Sequence, residues 1–157
     1  MEKITMNQEL VLTLPDGFRV KSEEEVKAMN MIGGGSAVCA EDPDRHVLIS
    51  LGWKTVGALA ALLLSSASVA KTSEAQIARS MKPYGYRRVG FGKRSIGGKE
   101  ADNISFTYTA KATAMEGETC VLKKDRTLYF LHFYGWEENK AEDLPMWESI
   151  VASAEWE

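Results

Sequence analysis

Between Tyr86 and Tyr134 four stretches of two-residue alternation follow one another with no helical stretch between them. They run Tyr86 to Arg94, Asp102 to Ala110, Glu118 to Lys123 and Thr127 to Tyr134, and the turn signals Gly97-Gly98, Glu116-Gly117 and Lys124-Asp125 separate them. A parallel pair needs a crossover of roughly a dozen residues or more. Strands joined only by short turns can therefore pair only antiparallel, and this half of the chain must form a meander.

The first half supplies the rest of the sheet and its cover. Leu10, Leu12 and Leu14 alternate with Val11 and Thr13 up to the turn Pro15-Asp16-Gly17, which marks a first strand. Ser22 and Glu25 have capping-box spacing, so a short helix is expected through about Met29. After Gly33-Gly34-Gly35, strands over about Ser36 to Glu41 and His46 to Gly52 meet across Asp42-Pro43-Asp44 as a hairpin. Thr55 to about Ala70 is rich in Ala and Leu and reads as a core helix, and Ser73 with Gln76 suggests a second box opening another helix. At the end, Trp147, Ile150, Val151 and Ala154 recur at helical spacing behind Asp143 and Pro145.

The expected fold class is α+β, an antiparallel β-sheet of about six to seven strands sandwiched between helices, in a single domain over 1–157. That length suits one core. With 45% hydrophobic and 26% charged residues the chain is composed for order throughout. The longest apolar run, Val56 to Leu64, has nine residues, whereas a membrane span needs about 20. No membrane span is expected, and the N-terminus shows no signal-peptide pattern. Cys39 and Cys120 belong to no CxxC pair and read as reduced core thiols, which favours a cytoplasmic location. A net charge of −3 gives no general attraction to nucleic acid.

Three segments carry a family resemblance. Leu14-Pro15-Asp16-Gly17-Phe18, Ile96-Gly97-Gly98-Lys99-Glu100-Ala101 and Thr127-Leu128-Tyr129-Phe130-Leu131 stand in an order of elements that resembles the PsbP-like superfamily, which also includes DcrB-type bacterial proteins. The resemblance covers most of the chain. It implies an antiparallel sheet between helices, in a family whose better-known members act by binding proteins as assembly factors, import factors or chaperones.

Chemistry-bearing residues are few. Asp42, Asp44 and His46 alternate around a proline, but turn chemistry alone favours those residues there, so no metal is expected. Gly33-Gly34-Gly35-Ser36 lacks the Lys-Ser/Thr continuation and helix of a phosphate loop, and no cofactor is expected. His132 lies on one strand face with Leu128, Phe130 and Tyr134, and no nucleophile motif accompanies it. Basic and aromatic residues gather at Arg87, Arg88, Arg94, Tyr134 and Trp136, the candidate binding residues. The expected function is a non-catalytic protein-binding, assembly or chaperone-like role with another protein as partner. The alternative is a small-ligand-binding or hydrolytic enzyme centred on His132, with Glu137, Glu138 or Tyr134 assisting. A third class, nucleic-acid binding through the basic stretch Arg87 to Lys99, is not expected.

Overall fold

A computed structural model describes residues 1–7, 9–28 and 36–157. The elements in chain order are β1 (Glu2–Thr5), β2 (Leu10–Leu14), β3 (Arg19–Val20), α1 (Glu23–Ala28), β4 (Ser36–Asp42), β5 (Val47–Thr55), α2 (Ala58–Leu63) and α3 (Ser66–Met81). The meander follows as β6 (Arg87–Ile96), β7 (Lys99–Ala110), β8 (Thr113–Lys124) and β9 (Thr127–Trp136), then α4 (Lys140–Ala152) and β10 (Glu155–Trp156). The glycine run at 33–35 lies outside the described residues.

Seven strands form one antiparallel sheet in the order β3-β4-β5-β9-β8-β7-β6. The last strand of the meander is therefore central, and its first strand, β6, is an edge. In β9, Tyr129, Leu131 and Phe133 face one core while Phe130 and Tyr134 face another, so both faces of the sheet must be covered. On one face α3 lays Ala70 and Ile77 against Ile104, Phe106 and Val121. On the other, α4 packs Trp147, Ile150 and Val151 onto Ile49, Leu131 and Phe133, together with a small second sheet in the order β1-β2-β10. Helices thus cover both faces as expected, and a three-stranded sheet shares the second layer with α4.

Local signals were realised unevenly. Ser22 and Glu25 do form their reciprocal cap, Glu25 N to Ser22 Oγ at 3.2 Å and Ser22 N to Glu25 Oε1 at 3.1 Å. The second box lies elsewhere: Ser65 and Ser68 cap each other at the start of α3, which runs unbroken through Ser73 and Gln76. The chain breaks between α2 and α3 at Leu64, and does not continue as one helix to Ala70. α4 begins at Lys140, continuing a 3-10 turn at Glu137–Asn139, so Asp143 lies within it and faces inward. The β7–β8 turn is at Lys111 and Ala112, both at positive φ, and not at Glu116-Gly117. Gly97 and Gly98 do turn the chain between β6 and β7, at φ of 60° and 82°. Gly97 also lies under the Trp156 indole, which donates from Nε1 to the Ile96 carbonyl at 2.9 Å.

Candidate functional site

Antiparallel register lines up Cys39, Ser50, His132 and Thr119 in one row across β4, β5, β9 and β8. His132 Nδ1 lies 2.8 Å from Thr119 Oγ1, and its ring stacks on Tyr134 with centroids 5.9 Å apart. Burial pushes the imidazole down to a pKa of about 4, so the ring is neutral at physiological pH. Cys39, Ser50 and Thr119 are completely buried, and His132 between them is half-buried. Glu137 lies five residues beyond His132, in the 3-10 turn that follows β9, and Cys120 is on the opposite sheet face with Leu131. Of the residues expected to assist His132, the structure thus brings Tyr134 to the ring and leaves Glu137 away from it.

At the far end of β9, Trp136 stacks on His46 with ring centroids 3.6 Å apart. Behind the adjoining hairpin, Asp42 Oδ1 accepts from the backbone N–H of Asp44 at 3.0 Å and of Arg45 at 3.2 Å, and Oδ2 pairs with the Arg45 guanidinium. Its oxygens are thus spent on the turn. Burial raises the carboxyls of Glu116 and Asp143, Glu116 to about 7.

Glu116 and His132 give opposite pH dependences. The folded state keeps the Glu116 proton up to about pH 7, whereas the unfolded chain releases it near 4.5. Its contribution is full below pH 4.5 and lost as pH rises toward 7. His132 resists protonation down to about pH 4 when folded but gains a proton near 6.5 when unfolded. Its contribution is full above 6.5 and lost as pH falls toward 4. The full shifts correspond to about 3 kcal/mol each; partial exposure of both side chains reduces these to about 2 for His132 and about 1 for Glu116. Between pH 4.5 and 6.5 the two trends oppose each other. In chemical denaturation across that window, E116Q should steepen the loss of stability on acidification and H132N should reverse its sign relative to wild type. Parallel curves for all three proteins would refute the assignment.

The other candidate residues lie toward the open edge of the sheet. Arg87 and Arg88 are exposed on β6, where Arg88 lies over the Phe91 ring at 4.9 Å and meets Glu74 of α3 at 3.2 Å. Arg88 shares a cross-sheet row with Phe106, Gly117 and Tyr134, so Tyr134 lies three strands away, about 14 Å. Arg94 turns inward instead, bridging Glu118 of β8 at 3.3 Å and Glu148 of α4. The structure thus groups Arg87 with Arg88, holds Arg94 in an ion-pair bridge, and places Tyr134 and Trp136 in the sheet interior and at its far end. With Lys93 on Glu100 and Asp102, most of the basic stretch is neutralised by neighbouring acids. Two exposed apolar side chains on β6, Val89 at 69% and Phe91 at 45%, accompany the arginines. Sequence reasoning missed Val89, whose only signal was an apolar residue following two arginines.

This architecture recurs in solved structures. The solution structure of cyanobacterial PsbP (CyanoP) from Synechocystis sp. PCC 6803 superposes with a TM-score of 0.69 at 9% identity, over 94% of this chain and 86% of that one. The fold is PsbP-like. LpqN, involved in cell envelope biogenesis of Mycobacterium tuberculosis, shares the PsbP-like architecture at a TM-score of 0.61 and 14% identity, over 94% of this chain and 82% of its own. The immunity protein TplEi of the T6SS from Pseudomonas aeruginosa has a TM-score of 0.51 at 16% identity, covering 76% of this PsbP-like chain and 43% of that one. No protein-family model and no curated protein matches the sequence. Among the described residues no helix is long and apolar enough to cross a membrane.

Proposed function

We propose that this PsbP-like domain is a non-catalytic protein-binding module, assembly or chaperone-like in role, that takes an extended partner segment along β6. The carrying observation is the open edge itself: β6 has ten residues, its outer side pairs with no strand among the described residues, and Val89 and Phe91 stand exposed beside Arg87 and Arg88. An added strand gains backbone hydrogen bonds from such an edge and specificity from alternate side chains. Arginines and the register shift between Arg88 and Gly90 also discourage self-association. That protective role leaves the two exposed apolar side chains unexplained, whereas partner binding uses them. The solved neighbours, PsbP-like proteins and an immunity protein, support a binding role. The reading centred on His132 has less support, because the flanking residues of its row are buried and Glu137 lies beyond the strand.

A photo-crosslinking residue at Val89 should capture a discrete partner in source cells, and the same residue at exposed Glu142 on α4 should not. F91D should abolish the Val89 product. Identical products from both positions, or a Val89 product indifferent to F91D, would count against the β6 edge.

A further inference from the structure

The run that reads as a core helix is turned outward. In α2, Leu59, Leu62 and Leu63 are 71%, 82% and 76% exposed, and Ala61 is the helix's buried residue. Their spacing of three and four puts all three leucines on one face. The helix is firmly attached all the same. Lys123 Nζ donates to the carbonyls of Ala61 at 2.6 Å and Leu64 at 2.8 Å, capping its C-terminal end, and Arg126 Nε donates to Val56 O at 3.1 Å just before its start. The Val56 N–H returns a bond to the Arg126 carbonyl at 2.8 Å. The result is an apolar tip held by two basic residues.

Charge around the tip is one-sided. No acidic residue occurs from Arg45 to Ser73, and exposed Lys54 and Lys71 flank the helix on either side along the chain while Lys123 and Arg126 approach it in space. Exposed Asp125 beside Arg126 opposes this charge, while the acids Asp102 and Glu9 nearby are engaged, Asp102 by Ser66 at 2.7 Å and Lys93 at 3.4 Å and Glu9 by Lys124 at 3.3 Å. The overall charge of −3 conceals this local excess.

We propose that α2 is a membrane-surface anchor that inserts Leu59, Leu62 and Leu63 into the interface of an anionic bilayer while the basic rim meets the headgroups. Two observations select this occupant. The three leucines present roughly 400 Å², the size at which a monomer's exposed patch is often functional, but a stable dimer needs about 800 Å² from each partner. The basic rim complements anionic lipid, which attracts lysine and arginine near the surface. Insertion of a short apolar face to headgroup depth needs no span. This surface is separate from the β6 edge, so either reading can fail alone.

The full chain should co-sediment with vesicles of phosphatidylcholine and phosphatidylglycerol and bind vesicles of phosphatidylcholine alone more weakly. L62D should weaken binding at least about tenfold, since it removes one buried leucine from the interface. K54E with K71E, both exposed and outside the bonds that hold the helix, should weaken it by roughly fivefold or more per charge removed, as should raised salt. Leu62 is exposed, so its variant should keep the wild-type circular dichroism spectrum and melting temperature, which separates lost binding from lost folding. Absence of binding to either vesicle, binding unchanged in L62D, or a concentration-dependent dimer broken by L62D without vesicle binding would each overturn the proposal.

Discussion

W147A should lower the unfolding free energy by about 4 kcal/mol, the cost of removing a large aromatic ring from a core that cannot collapse around the void. The Trp147 ring is 0% exposed and stacks on Phe133 with centroids 5.1 Å apart and planes within 20°. It ties α4 to the centre of the large sheet, beside Ile150 and Val151. A domain of this size has a total stability of about 5–15 kcal/mol, so the variant loses a large share of it. W147F makes the sharper comparison. The indole Nε1 is buried without a hydrogen-bond partner among the described residues, so phenylalanine keeps an aromatic ring on Phe133 while deleting an unsatisfied donor. It should cost less than about 1.5 kcal/mol, because lost volume is partly offset by that deletion. Urea denaturation at constant m-value measures both. An alanine variant within 1 kcal/mol of wild type would show that Trp147 does not hold α4 in place.

G117A is expected to cost about 2 kcal/mol, although glycine to alanine inside a strand ordinarily stabilises by about 0.5–1 kcal/mol. The sign is reversed by a neighbouring ring. A Cβ on Gly117 would lie 2.7 Å from the outer atoms of the Phe106 ring and 3.2 Å from the Phe133 carbonyl oxygen. Phe106 is itself 1% exposed, enclosed by Tyr86, Tyr108 and Tyr134, so it has nowhere to swing. Overpacking of this kind costs about 1–3 kcal/mol. F106L should partly rescue G117A, and a double-mutant cycle should give a favourable coupling of about 1 kcal/mol. Additive effects would mean that the ring does not fill the place of the missing side chain.

The same glycine shows where sequence reading stops. Glu116-Gly117 has the composition of a turn, yet β8 passes straight through it, because Phe106 on the paired strand occupies the space above Gly117. Nothing local to residue 117 carries that information. Arg94 is similar: the residue type and edge-strand position suggest a solvated cation, but Glu118 and Glu148, 24 and 54 residues on, draw it inward. For α2 an apolar run implied burial, while the packed structure seats only Ala61 and leaves the leucines outside. The candidate binding residues divide in the same way. Arg87 and Arg88 were readable as a charged, solvated edge and do lie on the edge strand β6, but that Tyr134 and Trp136 stand strands away from them depended on the order of strands in the sheet.

By itself the sequence determined the antiparallel meander and the Ser22–Glu25 cap. Strand alternation, short turns and capping are properties of neighbouring residues and are fixed by backbone geometry. Only the tertiary structure decided that β9 is central, that the second face is shared by α4 and a small sheet, and that the α2 leucines face outward. Those outcomes depend on pairing and packing between segments distant along the chain, where each element's place is set by which partners bury its faces.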